Sequence, residues 1–222
     1  MSHETTNEVA SFSPSAAMQR QTDMCHRITP LVLEDLQSAL DELHRSGRAR
    51  IPQHDASEVV PDAYPGKQLP LFTVDSLGAL QATQLTWGFD APPGTRSKLV
   101  FNTRIETALA QARDGRGLWA KPLAMGRCLV PVTSFYESWT RSAPRRGAQV
   151  RFTLPNQRIF LLAAVCDDER FSIVTTQPNA DMAPIHSRMP LVLAPGESSI
   201  WLGPDYASLA DRSAIRLTAT PE

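Results

Sequence analysis

The feature that most constrains the fold of this 222-residue chain is a series of short apolar runs separated by proline-, glycine- or arginine-containing stretches. The runs are rich in β-branched and aromatic residues, which favour a pleated, half-buried surface. Strands are predicted at 71–74, 80–87, 99–102, 128–132, 135–139, 150–154, 159–166, 171–176, 189–193 and 215–218. The balance of elements predicts an α+β, strand-dominated single domain.

Helical signals are fewer. Helices are predicted at 34–48, 105–113 and 197–202. In the first of these, Leu36, Leu40 and Leu43 recur at helical spacing, with acidic residues early and arginines late, as suits the helix dipole. The prolines of 51–70 predict a long irregular segment. The sequence shows neither a βαβ alternation nor a glycine-rich phosphate loop, which argues against a nucleotide-binding fold.

The first 23 residues are rich in Ser, Thr, Ala and Gln and show no periodicity. This composition predicts a disordered or absent extension ahead of a domain at 24–222. Met24 is expected to be the translation start, and cleavage of a pro-segment is the alternative. The sequence has neither a secretory signal nor an apolar run near the roughly 18–20 residues of a membrane helix. A cytoplasmic protein is therefore expected.

The charge of the chain does little to identify a partner. The formal net charge is -1, which argues against a generally basic nucleic-acid coat and leaves room for a local basic cleft.

The three cysteines, Cys25, Cys128 and Cys166, are odd in number and widely spaced, which argues against a disulfide framework or a zinc site. Cys128 and Cys166 lie in apolar runs and are predicted to be buried thiols. In a chain beginning at Cys25, an α-amine of pKa about 7.7–8.0 and a thiol of pKa about 8.5 occupy adjacent carbons. Such an aminothiol condenses with aldehydes to a thiazolidine. The alternative is an ordinary thiol in a flexible segment.

Asn102 and its neighbours allow two interpretations. Asn102 at a strand end can face a cleft, with Arg104 close by to hold a phosphate. Alternatively, Asn102 or Thr103 caps the following helix and Glu106 completes a capping box.

Glu137 and His186 are the remaining candidates for proton transfer. A turn is predicted at 131–134, and Glu137 follows it among large aromatic residues. If it is buried, its pKa is raised, which suits a general acid or base. If it occupies an alternate strand position, it points to solvent. His186 precedes an apolar strand, where a histidine either moves protons near neutral pH or has a structural role.

Five motifs occur in order along the chain. They are Met-Cys-x-Arg at 24–27, Trp-Gly-Phe at 87–89, Asn-x-Arg-x-Glu-Thr at 102–107, a Pro-x-x-x-Phe-Tyr-Glu-x-Trp-like segment at 131–139 and His-x-Arg-Met-Pro at 186–190. Together they resemble the SOS response-associated peptidase family, also called abasic-site processing proteins, over about residues 24–195. The resemblance implies packed, mostly antiparallel β-sheets with a few helices and a cleft for single-stranded DNA.

The resemblance also implies a covalent crosslink to abasic sites in single-stranded DNA, with lyase-like or autopeptidase activity. By matching position, Cys25 would be the nucleophile, and Asn102 would orient the N-terminus or the sugar. Glu137 would act as general acid and base during ring opening and Schiff-base formation. His186 would assist proton transfer.

DNA contacts follow from the same resemblance. Arg27, Arg104 and Arg188 would contact the DNA, while Trp87 would either line the cleft or belong to the core. No metal or organic cofactor is implied. A monomer that associates with the nucleoid when bound to DNA is expected.

The chain departs from the family pattern in several places. His26 stands where glycine is usual, and 62–66 lacks the usual asparagine. The loop after Trp87 lacks tandem tryptophans, and Arg96 and Lys98 offer charge there instead. Two other functions stay open. One is a thiol peptidase, acting on itself or on other proteins through Cys25, and the other is a non-reactive single-stranded DNA-binding module.

Overall fold

The computed structural model describes residues 25–46, 61–95, 97–139 and 148–222. The predicted extension at 1–23 lies outside the described residues, as do Met24, Arg96 and the first half, 51–60, of the irregular segment predicted at 51–70. Among the described residues, no helix has both the length and the apolar character needed to cross a bilayer.

Strands dominate the structure. They are β1 (Arg27–Pro30), β2 (Gln68–Val74), β3 (Leu80–Trp87), β4 (Phe89–Asp90), β5 (Leu99–Val100), β6 (Asn102–Arg104), β7 (Arg127–Ser138), β8 (Gln149–Thr153), β9 (Phe160–Cys166), β10 (Arg170–Thr176), β11 (Met189–Pro190), β12 (Val192–Leu193) and β13 (Thr218–Pro221). The helices are α1 (Leu33–Ser46), α2 (Ile105–Asp114), α3 (Ala120–Met125) and α4 (Ser198–Leu202), with a 3₁₀ turn at Tyr206–Ala210. The strand-dominated α+β prediction is confirmed.

The main sheet closes on itself. Its strand order is β12-β9-β10-β3-β2-β7-β8-β13, and an additional pairing of β9 with β7 completes a circuit through β10, β3 and β2. β1 is added to β7, and β6 and β11 are added to β10. Most pairings are antiparallel, while β10 runs parallel to β3 and to β6. Closure protects the backbone edges of the five strands in the circuit.

Alternation along the strands divides the core in two. Cys128, Val130 and Val132 of β7 belong to one apolar cluster. Leu129, between them, belongs to a second cluster that includes Leu36 of α1. Because successive side chains point to opposite faces, the first cluster fills the interior of the closed sheet and the second lies under the helices. Cys128 and Cys166 are buried, as predicted.

The predicted turn at 131–134 is wrong, because β7 runs without a break from Arg127 to Ser138. Pro131 is tolerated because β7 changes partners near this point, from β9 for its first half to β1 and β8 for its second. Helix α3 was missed, since its six residues are too short to show a period. The last strand lies at Thr218–Pro221, three residues beyond the prediction.

Candidate active site

A β-bulge turns Glu137 toward the interior. On β7, Ser134 pairs with Thr29 and Val132 pairs with Pro30, so Thr133 is one residue too many. An inserted residue reverses the alternation of the side chains beyond it. Val132 and Phe135 therefore lie in the same inner cluster, and Glu137 is 1% exposed. The solvent-facing alternative for Glu137 is thus wrong.

Cys25 meets Glu137 at this inner face. The main-chain nitrogen of Cys25 donates a 2.7 Å hydrogen bond to Oε1 of Glu137. Cys25 is fully buried, which contradicts the alternative of a thiol in a flexible segment. Its φ of +40° is a left-handed conformation that non-glycine residues seldom adopt. In the 222-residue chain this nitrogen is an amide, and in a chain beginning at Cys25 it would be the α-amine.

Burial governs the protonation of both groups. Desolvation raises the pKa of Glu137 well above its ordinary value, and the hydrogen bond from Cys25 opposes that shift. Desolvation also raises the pKa of the Cys25 thiol, and the negative charge of Glu137 adds to the effect. A raised carboxyl pKa suits proton exchange near neutral pH. A raised thiol pKa keeps the sulfur protonated.

Asn102 and His186 flank one strand. Asn102 begins β6, which pairs with β10 through Ile173. His186 is 4% exposed and lies in the turn before β11, which pairs with Thr175 and Thr176 of β10. The helix-capping interpretation of Asn102 and Thr103 is wrong, because both lie in β6 and the residue that precedes α2, Arg104, makes no side-chain cap.

Arg27 lies in a polar cluster on the opposite face of β7. Its guanidinium binds Asp62, with 2.6 Å between Nη2 and Oδ2, and Glu222, with 2.6 Å between Nη1 and Oε2. It also lies 3.8 Å above the ring of Tyr136. Asp62 is followed by Ala63, which forms a two-bond bridge with Ile28 of β1. No local pattern in the sequence indicates these carboxylate partners, which come from distant segments.

The other predicted DNA contacts differ in accessibility. Arg104 is exposed. Arg188 is held by both carboxylate oxygens of Glu106, at 2.8 and 2.9 Å. Trp87 is fully buried, its ring stacks on Phe171 and its Nε1 donates to the carbonyl oxygen of Phe101 at 3.0 Å. Trp87 therefore belongs to the core, which was one of the two roles left open for it. The prediction that its ring contacts DNA is wrong, because the ring is not accessible.

Comparison with known proteins identifies a family. The model of the SOS response associated peptidase (SRAP) family matches residues 24–221. Among individual proteins, the chain is 30% identical over 130 residues to abasic site processing protein YoqW of Bacillus subtilis, and 32% identical over 133 residues to YobE of the same organism. Each match covers 54% of this chain, with 57% of YoqW and 58% of YobE. The matched region thus spans less than two thirds of the length of these curated relatives.

Solved structures share the fold at lower identity. A phage-related protein from Bordetella bronchiseptica superimposes with a TM-score of 0.61 at 20% identity, covering 89% of this chain and 94% of that one. A protein from Bacteroides thetaiotaomicron superimposes with a TM-score of 0.59 at 22% identity, covering 89% of this chain and 91% of that one. At these identities the likeness shows the fold alone.

Proposed function

The chain belongs to the SOS response-associated peptidase family, and from that membership we propose that it processes abasic sites in single-stranded DNA through a covalent bond to Cys25. One observation carries the proposal: the Cys25 nitrogen lies 2.7 Å from a buried carboxylate oxygen of Glu137. In a form that begins at Cys25, this nitrogen is the α-amine, and Glu137 accepts the proton that the amine must lose before it attacks an aldehyde.

The reaction first opens the sugar. As the closed hemiacetal opens, the hydroxyl on C1′ gives up a proton and the ring oxygen O4′ gains one. Glu137 and His186 divide this proton transfer, one as acceptor and one as donor. The amine of Cys25 then attacks the aldehyde carbon, the aldehyde oxygen leaves as water, and a Schiff base forms.

The thiol acts second. The Cys25 sulfur adds to the imine carbon, its proton passes to the nitrogen, and the five-membered thiazolidine closes. The adduct therefore has the mass of protein plus oligonucleotide less one water. This order agrees with the raised pKa of the Cys25 thiol, because the nitrogen makes the first attack and the sulfur needs to be nucleophilic only toward the more reactive imine.

DNA binding is assigned to the exposed side of the same region. Arg104 follows Asn102 by two residues on β6 and is exposed, so it can reach a phosphate beside the lesion. Arg27 is a second candidate, and phosphate binding there requires Glu222 or Asp62 to be displaced. Asn102 is proposed to orient the sugar.

Self-cleavage before Cys25 is a second activity favoured by the same contact. In the 222-residue chain, Glu137 faces the nitrogen that would leave if the Met24–Cys25 bond were cut. The Cys25 thiol would pass its proton to Glu137 as its sulfur attacks the carbonyl carbon of Met24. The C–N bond would then break while Glu137 returns that proton to the departing nitrogen, which leaves a thioester between Met24 and the Cys25 sulfur. Water then hydrolyses the thioester. A thiol peptidase acting on other proteins is less favoured, because its attack lacks the proximity of an intramolecular reaction, which offsets the raised pKa of the Cys25 thiol.

The test compares two forms of the protein beginning at Cys25, one with a free α-amine and one acetylated at that amine. The free form is expected to give a covalent product with an abasic oligonucleotide, and the acetylated form none. Equal product from both forms would make the thiol alone the nucleophile and would refute the proposal. Salt-dependent binding without product from either form would instead support a non-reactive DNA-binding module.

A further inference from the structure

The ring of His186 is held by its own turn. The main-chain N–H of Arg188 donates to Nδ1 of His186 at 3.2 Å, and Nδ1 also lies 3.4 Å from the carbonyl oxygen of Arg188. A main-chain N–H always carries hydrogen, so the first contact requires an unprotonated Nδ1. The second contact requires the opposite tautomer and is longer. The shorter contact favours a neutral ring that carries its proton on Nε2.

The side chain of Arg188 is anchored to two other segments of the chain. Its guanidinium forms two parallel bonds to the carboxylate of Glu106, at 2.8 and 2.9 Å. It also donates to the carbonyl oxygen of Thr175 at 2.8 Å. The Arg188 side chain is 11% exposed and that of Glu106 is 49% exposed. A forked pair of this kind restricts both side chains in direction as well as distance.

The Arg188–Glu106 pair crosses β10 between the two predicted catalytic segments. Glu106 lies in the first turn of α2, directly after the strand that Asn102 begins. Thr175, which Arg188 also contacts, is paired with Arg104 on one side and Pro190 on the other. The pair spans 82 residues of sequence and links the Asn102 strand to the His186 turn.

We propose that Arg188 and Glu106 are positioning residues, which hold the N–H of Arg188 against Nδ1 of His186 and so fix the ring proton on Nε2. The catalytic consequence rests on the proposed function, in which His186 exchanges a proton with the sugar. The assignment of the His186 tautomer does not depend on the proposed function. This role differs from the phosphate contact predicted for Arg188, because its guanidinium is engaged by oxygens of Glu106 and Thr175.

The first test reads the tautomer in the free protein. Ring ¹⁵N resonances are recorded by NMR at neutral pH and assigned by their loss in His186→Gln. The wild type is expected to show an Nε2-protonated ring. Arg188→Lys keeps the positive charge and loses the pair of parallel hydrogen bonds to Glu106. Glu106→Gln replaces one carboxylate oxygen with an NH₂ group, which cannot accept a hydrogen bond from the guanidinium. Both are expected to give a mixture of tautomers. A wild type protonated on Nδ1, or variants that keep a pure Nε2 tautomer, would overturn the proposal.

A matched control breaks a different pair. Glu197 binds Arg212 at 2.6 Å between Oε2 and Nη1, and both side chains are largely buried. Glu197→Gln is therefore expected to lower stability without changing the His186 resonances. If Arg188→Lys fails to fold, the same NMR measurement is made on Glu106→Gln alone. Glu106 is half-exposed, and its replacement leaves intact the hydrogen bond from the Arg188 guanidinium to the carbonyl oxygen of Thr175.

The second test measures product formation with an abasic oligonucleotide in a single-turnover experiment. Arg188→Lys and Glu106→Gln are expected to slow the covalent step about 10-fold or more, a part of the roughly 10²–10⁴-fold that a positioned acid or base contributes. The Kd for the oligonucleotide and its salt dependence are expected to stay unchanged. A phosphate contact would instead show as weaker binding and a shallower salt dependence, which would overturn the positioning role. If the wild type forms no product, the proposed function fails and the NMR result still decides the tautomer.

Discussion

The main-chain nitrogen of Cys25 lies 2.7 Å from Oε1 of Glu137, across 112 residues of sequence. Two local features produce this contact: the extra residue on β7 at Thr133, which turns Glu137 inward, and the left-handed conformation of Cys25. Placing a carboxylate against this nitrogen in an apolar interior is costly, since burial disfavours the charged form. In the proposed chemistry the same burial has a function, because a carboxyl group with a raised pKa exchanges protons near neutral pH more readily than an ordinary one.

Glu137→Gln is expected to slow covalent product formation by about 10²- to 10⁴-fold, because an amide still accepts the hydrogen bond and cannot exchange a proton. The rate constant is measured in single turnover with the form that begins at Cys25. Glu169→Gln, which alters an exposed carboxylate in the turn before β10, is the control. An unchanged rate for Glu137→Gln would remove Glu137 from the proton transfer.

The free energy of unfolding is expected to depend on pH because the pKa of Glu137 is raised in the folded state. A folded pKa above the unfolded value of about 4.3 means that the folded state binds more protons between the two values. The stability contributed by Glu137 is therefore complete below about pH 4.3 and is lost as pH rises toward the folded pKa. The slope is at most about 1.4 kcal/mol per pH unit.

Urea unfolding of wild type and Glu137→Gln between pH 4 and 8 checks this expectation. As pH rises, the free energy of unfolding of Glu137→Gln should increase relative to that of the wild type, because glutamine does not titrate. Parallel curves would mean that Glu137 titrates in the folded state as it does in the unfolded one.

Cys25→Ala, in the form that begins at residue 25, is expected to keep the amine and lose the thiol. Reaction then stops at the Schiff base, which invites β-elimination and strand cleavage. Denaturing gels of an abasic oligonucleotide should show nicked DNA with this variant and an intact crosslink with the wild type. Intact, uncrosslinked DNA in the presence of the variant would contradict the order of steps in which the amine acts first.

Arg104→Gln is expected to weaken binding of single-stranded DNA and to reduce the slope of log affinity against log salt by about 0.7, the value for one lost phosphate contact. Arg113→Gln is the matched control, since Arg113 is exposed at the other end of α2 and loses the same charge. Equal losses from the two variants would show a general charge effect and would remove Arg104 from the interface.

The strands were predictable because their signal is local. The predicted strand at 80–87 coincides with β3, and that at 159–166 begins one residue before β9. Burial of Cys128 and Cys166 follows from the same apolar runs. Closure of the sheet was not predicted, because it depends on the pairing of β9 with β7, which a pattern along one segment does not encode.

The candidate site residues could be named from the sequence, but their geometry could not be predicted from it. The inward direction of Glu137 depends on the register of β1 against β7, more than 100 residues apart in sequence. The DNA contacts predicted for Arg27 and Arg188 take no account of carboxylate partners, because Glu222 and Glu106 lie too far along the chain to be paired by spacing. Long-range contacts of this kind require the folded structure.

Intact mass spectrometry tests the central claim most directly. The protein is expressed from its full reading frame, and its mass is measured before and after incubation with a single-stranded oligonucleotide that carries one abasic site. The account predicts a chain that begins at Cys25 and gains the mass of the oligonucleotide less one water. A chain that begins at Cys25 and gains no mass would contradict it.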